Sequence, residues 1–375
     1  MEIITNLKMV APCRFGVEAL VADELKMMGA QNIKSEDGRV FFEGGADILA
    51  RANLRSRISE RIMLVIGRFK AFSFDELFEG IKALPWEDYI GKDDKFPVKG
   101  ASIDSKLFSM SDCQSIIKKA VVERLKKSTN ISWFSETGAL YQIQYFIHKD
   151  VVTAMIDASG EGLHKRGYRA DANEAPMKET LAAAIVNLAR VKRDATLIDP
   201  CCGSGTILIE GAMRALNIAP GLNRSFPSED WSFAPKSVWD TERECAGDNV
   251  NKDVAFEAFG FDIDDRALTL TMKNAQKAGV DHLITARKRD IADFKFETEK
   301  GIVICNPPYG ERISEWKESD QLCKTMGGVF VPKKDFSYYV ITPSENFEDN
   351  FGRKADKRRK LYNGMIRCQL FMYFK

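Results

Sequence analysis

From about residue 174 the chain alternates helix-length and strand-length segments, and this alternation limits the fold more than any other feature. In order run KETLAAAIVNLAR, TLIDP, a helix after GSGT, FGFDID, RALTLTMKNAQKAG, ITARKRD, GIVICNPPY and SYYVITP. Buried strands that take turns with helices argue for a parallel sheet covered by helices, an α/β fold. The last two strand segments, RRKLY and MIRCQLFMYF, flank Asn363-Gly364. That dipeptide is the strongest short hairpin signal, because a type I′ turn needs positive φ at both central residues. The parallel sheet is therefore expected to close on an antiparallel hairpin.

The front of the chain reads differently. GVEALVADELKMMG has apolar positions at helical spacing and precedes the short strand RVFFEGG, which makes residues 1–60 a small α+β unit. Residues 61–158 continue as strand RIMLVIGRFK, helix FDELFEGIKAL, strand FPVKGASI, helix SDCQSIIKKAVVERLKKS and strands ALYQIQYFIHKD and VVTAMIDAS, again α+β. The α/β part then occupies 159–375.

Composition narrows the classes. With 375 residues, 45% hydrophobic and 29% charged, the chain is expected to be globular, with room for two or three domains. No run reaches the roughly 18 apolar residues of a bilayer span, and the start lacks a signal pattern, so no membrane partner and a cytoplasmic address are expected. Eight cysteines without CxxC spacing and three histidines, His148, His164 and His282, argue against disulfides and a metal site. A net charge of +1 carries no global signal for nucleic acid, so such binding must come from local patches.

In LIDPCCGSGTILIEGAM, residues 197–213, a buried strand meets Asp199 and Pro200, then a turn with Gly203 and Gly205, then a helix from about Thr206. The glycines permit a sharp turn and close backbone approach. A phosphate loop is the plain alternative, but no lysine follows the glycines, and Leu208 stands where the third glycine of G-x-G-x-x-G belongs. FGFDIDD places Asp262 at the end of the next strand, where a carboxylate can accept two ribose hydroxyls. ARKRD places Asp290 at the end of the third, within reach of an adenine amino group. Three carboxylates at consecutive strand ends form an acidic pocket that repels phosphate and suits a cationic sulfonium. Further on, ICNPPYGER runs a strand into an amide, two prolines and a tyrosine. Pro307 biases Asn306 toward an extended backbone and the two prolines remove two donors, so Asn306 and Tyr309 are held nearly fixed at a sheet edge.

DPCCGSGT, GFDID and NPPYGER, in this order and spacing, resemble the S-adenosylmethionine-dependent amino-methyltransferases. GEGLHKRGYR followed by APMKETLAAAI resembles the bacterial branch with an N-terminal THUMP RNA-binding domain, whose members methylate the guanine N2 amino group in 23S rRNA. The resemblance implies a Rossmann-like class I methyltransferase domain, its mixed seven-stranded sheet ending in an antiparallel hairpin, behind ferredoxin-like (1–60) and THUMP (61–158) domains. It assigns the cofactor loop to Asp199, Pro200, Cys201, Gly203, Ser204, Gly205 and Thr206, the ribose acid to Asp262 with Ile263 beside it, and the adenine contact to Asp290. Lys178, Glu179 and Thr180 would close over the methionine end. Asn306, Pro307, Pro308 and Tyr309 become the catalytic tetrapeptide, with Asn306 also next to the cofactor, Tyr309 stacking on the target base and no metal involved. RNA is expected at Lys118, Lys119, Arg124, Lys126 and Lys127 on one helix, at Lys165, Arg166 and Arg169, and more weakly at Arg353, Lys357, Arg358 and Arg359, although charge runs are more often solvated faces. A monomer is expected. Two rival readings stay open: adenine-N6 methylation of DNA or RNA, and a non-catalytic RNA-binding assembly factor.

Overall fold

The computed structural model describes residues 6–129, 133–169, 177–296, 298–309 and 313–375. They form two compact units, neither of them one run of sequence. The first takes the chain up to Pro12, Val21–Leu163 and Ser225–Cys245; the second takes Cys13–Leu20, His164–Arg224 and Ala246–Lys375.

In the first unit, strands β1 (Leu7–Pro12), β2 (Gln31–Glu36), β3 (Arg39–Gly44), β4 (Met63–Lys70), β5 (Val98–Ile103), β6 (Ile143–His148) and β7 (Val151–Asp157) form one sheet in the order β2-β3-β1-β4-β7-β6-β5. The sheet runs through both stretches expected as separate α+β units, because β1 pairs with β3 on one side and with β4 on the other. Helices α2 (Ala46–Arg55), α3 (Phe74–Lys82) and α4 (Met110–Thr129) belong to the same unit, while α1 (Glu18–Met27) starts three residues before its second segment.

Residues 225–245, expected in the α/β part, pack instead in this first unit. Aromatic burial is the reason. Trp231 stacks on Tyr141 with ring centres 4.9 Å apart and donates from its indole N–H to the Leu140 carbonyl at 2.9 Å. Trp239 is fully buried and stacks on Phe226, and Glu242 takes Arg51 at 2.6 Å.

In the second unit, β8 (Thr196–Asp199), β9 (Glu257–Asp262), β10 (Ile284–Lys288), β11 (Gly301–Cys305), β12 (Phe336–Thr342), β13 (Lys357–Asn363) and β14 (Ile366–Tyr373) form a seven-stranded sheet in the order β10-β9-β8-β11-β12-β14-β13. The first five are parallel, and β14 is antiparallel to both of its neighbours. This is the expected mixed sheet with a closing hairpin. Helices α5 (Glu179–Leu188), α6 (Thr206–Ala215), α8 (Asp265–Ala278), α9 (Ile313–Phe330) and α10 (Phe347–Phe351) belong with it; α7 (Lys236–Asp248) starts in the first unit's last segment. An aromatic core against this sheet sets Phe294 edge-on to Phe261 and to Phe330, and Phe330 in turn stacks on Tyr338 at 5.3 Å.

The hairpin turn falls one residue later than expected. Asn363 is the last residue of β13 and pairs with Ile366, so Gly364 and Met365 are the central residues. Of these only Gly364 has positive φ, +62°, the pattern of a type II′ rather than a type I′ turn. Residues 13–20 join this unit at the hairpin: Arg14 donates to the Gly364 carbonyl at 2.9 Å, Arg359 to the Gly16 carbonyl at 2.7 Å, and Phe15 meets Tyr362 edge-on. Among the described residues no helix is long and apolar enough to cross a membrane.

Candidate active site

The site lies at the carboxyl ends of the parallel strands, where the chain leaves β8 for β9 on one side and β11 borders β8 on the other, so that the connections diverge and leave a crevice. After β8 the chain turns through Gly203 (φ +52°) and Gly205 (φ +80°), and α6 begins at Thr206. A side chain on Gly205 would meet Thr271 at 2.7 Å, so glycine is required there by conformation and by space. The turn is tied at every level. Cys202 N donates to the Phe261 carbonyl at 2.9 Å, and Gly203 N donates to Asp262 Oδ2 at 2.9 Å. From α8, the buried Thr271 hydroxyl donates to the Gly203 carbonyl at 2.8 Å and the Asn274 amide to the Ser204 carbonyl at 3.0 Å. Thr271 and Asn274 were not expected at the site. Their signal was present, because two polar residues three apart on the buried face of an amphipathic helix need partners.

A cavity of about 440 Å³ opens beside this turn. Of the expected cofactor residues, Asp199, Pro200, Cys201, Gly203, Ser204, Thr206, Asp262, Ile263, Asp290 and Asn306 line it, together with Pro308. Met177, Arg289, Ile291 and Leu322 line it as well and were not expected. Asp290 stands two residues beyond the end of β10, where its carboxylate caps a short turn by accepting from Ala292 N at 2.8 Å. Burial, and then the charge of Asp262, push Asp199 up to about 8, so at neutral pH the floor of the pocket holds a proton and is less acidic than expected.

Lys178, Glu179 and Thr180 do not line the cavity; the chain touches it through Met177. Glu179 is buried and faces Arg169 at 3.5 Å, and burial raises its pKa. The expectation of Arg169 as an RNA contact is corrected by its partners: its guanidinium donates to Thr206 Oγ1 at 2.9 Å and to the Met177 carbonyl at 3.0 Å, which ties the front of α5 to the start of α6. Arg166 is likewise corrected. Its side chain is 1% exposed and pairs with Glu210 at 3.3 Å, and Glu210 also accepts from the Tyr168 hydroxyl. Lys165, immediately before Arg166, is exposed.

Beyond β11, Asn306 and Pro308 line the cavity while Pro307 is buried and Tyr309 stands outside the lining. The Tyr309 hydroxyl donates to Asn306 Oδ1 and accepts from Asn363 Nδ2 at 3.0 Å. The continuation Gly310-Glu311-Arg312 and the upstream Ala175-Pro176 lie outside the described residues.

In the first unit the basic face of α4 is thinner than its sequence suggests. Arg124 chelates Glu87 with N···O distances of 2.5–3.1 Å, and Lys118 pairs with Glu136 at 2.6 Å while resting 3.5 Å above the Phe96 ring. Lys126 lies 3.6 Å from Glu123, and Lys119 and Lys127 are exposed. The last charge run is thinned in the same way: Arg359 holds Gly16, Arg358 holds Glu348 and Arg353 holds Asp356.

A parallel sheet closed by a hairpin, with a glycine turn after β8, acids at the ends of β8 and β9 and a third just past β10, defines a class I methyltransferase. The chain belongs to the family described as RMKL-like, methyltransferase domain, which it matches over residues 166–371. It also matches the RlmL ferredoxin-like domain over 8–63 and the THUMP domain over 71–157. YpsC of Bacillus subtilis (strain 168), named as an RNA methyltransferase, is 45% identical over 98% of this chain and 95% of its own. Ribosomal RNA large subunit methyltransferase K/L of Cellvibrio japonicus (strain Ueda107) is 31% identical over 97% of this chain, which spans 50% of that longer protein. Two crystal structures superpose closely. SMU.472, a methyltransferase complexed with SAH, is 40% identical with a TM-score of 0.94, covering 99% of this chain and 98% of its own. A predicted N6-adenine-specific DNA methylase from Listeria monocytogenes str. 4b F2365 is 46% identical with a TM-score of 0.93, covering 99% and 97%.

Proposed function

We propose that the protein methylates the exocyclic N2 amino group of a guanine in 23S rRNA, with S-adenosylmethionine as methyl donor. The observation that carries this reading is one cavity lined by Asp199 and Asp262 at two strand ends, by Asp290 just past a third, and by the Asn306 amide and Pro308. The donor set fits the cofactor. Asp262 uses its oxygens on Gly203 N and Asp264 N and retains lone pairs for a ribose, while Ile263 and Ile291 supply apolar surface for a purine. The cofactor supplies an electrophilic methyl group on a sulfonium.

Everything else falls to the chain. An aromatic amine is a weak nucleophile because its lone pair is delocalised into the ring. Hydrogen bonds from its N–H groups to Asn306 Oδ1 and the Pro307 carbonyl pull the nitrogen toward tetrahedral geometry and aim the lone pair at the methyl carbon. Alignment of this kind contributes roughly 7–11 kcal/mol. The ammonium product is acidic enough to lose its proton to water, so no dedicated base is needed. The target base must leave its stack to reach the cavity, at a cost of a few kcal/mol. RNA held by the THUMP-matching part at exposed residues such as Lys119 and Lys127 offsets that cost.

The name of the K/L relatives supports large-subunit RNA, and that of the Listeria protein supports the second reading, adenine N6. Nucleoside mass spectrometry of 23S rRNA from cells with and without the gene separates them. Loss of one N2-methylguanosine is expected. Intact N2-methylguanosine together with a lost N6-methyladenosine, in RNA or DNA, would replace this reading by the other.

A further inference from the structure

We propose that Asn363, on the closing hairpin, is a positioning residue for methyl transfer: through the Tyr309 hydroxyl it sets which end of the Asn306 amide faces the target amine. The inference rests on the reading of Asn306 as the acceptor of that amine.

Its basis is the direction of two hydrogen bonds. Asn363 Nδ2 donates to the Tyr309 oxygen at 3.0 Å, and the Tyr309 hydroxyl donates to Asn306 Oδ1. A phenol has one proton, and with Asn363 donating to its oxygen that proton goes to Asn306 Oδ1, a stronger acceptor than the nearby Cys368 sulfur. Asn306 must therefore present oxygen, and not NH2, to Tyr309. A carboxamide oxygen accepts two hydrogen bonds, so Oδ1 keeps one site for an N–H of the target base. If the amide were reversed, its NH2 would face a Tyr309 proton, and a donor would meet the amine that is to be held. Burial, with the nearby Cys368, pushes the Tyr309 phenol far above its ordinary value, so it stays a donor at every working pH.

The hairpin does not need asparagine at 363 for its own fold. The turn is carried by Gly364 at φ +62°, and Asn363 has negative φ within β13. Arg14, reaching the Gly364 carbonyl at 2.9 Å, holds the turn in place. A side-chain change at 363 consequently leaves the backbone intact and removes only the hydrogen bond.

The test uses the full-length protein and 23S rRNA extracted from cells lacking the gene. It reads kcat and KM for RNA at saturating S-adenosylmethionine, and cofactor affinity by calorimetry as a control for folding. Asn363→Ala is expected to lower kcat about five- to tenfold, the worth of one hydrogen bond, with KM and cofactor affinity unchanged. Asn363→Asp keeps the shape but reverses the bond: its carboxylate takes the Tyr309 proton away from Asn306, so kcat falls at least as far as in the alanine variant. Tyr309→Phe, which removes the hydroxyl and keeps the ring, falls similarly, and adding Asn363→Ala to it costs nothing more. Wild-type kcat in Asn363→Asp or in Tyr309→Phe, or additive losses in the double variant, would overturn the proposal. A wild-type enzyme that leaves this RNA unmethylated overturns the functional reading, and the relay falls with it.

Discussion

At the scale of single residues the site separates binding from chemistry, and the separation can be measured. Asp262 touches the glycine turn and reaches toward a ribose, so Asp262→Ala should weaken S-adenosylmethionine binding by roughly 1–3 kcal/mol, the cost of leaving hydroxyls unpaired. Asn306→Ala should abolish turnover with little loss of cofactor affinity; equal loss of both in calorimetry would move Asn306 out of the amine-binding role. Asp199 adds a pH signature. Its folded, ligand-free value of about 8 lies above the ordinary carboxylate range, so between about pH 4 and 8 the folded protein holds a proton that the unfolded chain does not. This group's contribution to stability therefore falls as pH rises through that window. A cationic cofactor beside it favours the ionised form, so binding near pH 7 should expel close to one proton and tighten as pH rises toward about 8. Calorimetry in two buffers of different ionisation enthalpy measures the release, and Asp199→Asn should remove it. The sequence made these acids visible because each stands at or just past a strand end, but it did not show that burial would neutralise one of them.

At the scale of elements, strands and helices with strong periodicity were legible, and their side-chain partners were not. The five parallel strands, the hairpin and α4 all fall where apolar spacing puts them. What spacing could not show is which charges are spent inside the protein. Arg166 and Arg169 look like a solvent-facing basic run in HKRGYR, yet both fold inward because Glu210, Glu179 and Thr206, further along the chain, pair with them. On α4 the same effect divides five candidate RNA-binding side chains into two kinds. Lys119→Ala with Lys127→Ala should lower the log-log slope of RNA binding against salt by about 0.7–0.9 for each phosphate no longer neutralised, with melting temperature unchanged. Arg124→Ala, which breaks the Glu87 chelate, should lower the melting temperature and leave that slope nearly as it was. A slope change of equal size in both variants would show that α4 binds RNA irrespective of its internal pairs. The turn at Gly364-Met365 lies one residue past the Asn-Gly signal for a related reason: the asparagine side chain is held by Tyr309 and its backbone stays in the strand.

At the scale of the whole molecule the two compact units exchange segments, and this changes what a truncation can do. A cut near Gly160 looks natural from sequence, since the composition shifts from α+β to α/β there and every proposed cofactor group lies beyond it. Such a fragment would nevertheless carry residues 225–245 without the partners that bury them. Trp231 would lose Tyr141 and the Leu140 carbonyl, Glu242 would lose Arg51, and the hairpin would lose Arg14 and the Gly16 carbonyl. Exposing Trp231 and Phe233, which lose Tyr141 and Tyr89, creates an apolar surface of the kind that drives association. The fragment 160–375 is therefore expected to aggregate, by light scattering. A version in which a flexible Gly/Ser linker of about ten residues replaces 225–245 should stay soluble and bind S-adenosylmethionine, yet leave 23S rRNA unmethylated for want of the RNA-binding part. A soluble, cofactor-binding fragment that still contains 225–245 would show that this segment can find other cover, and would refute the assignment of its stability to the first unit.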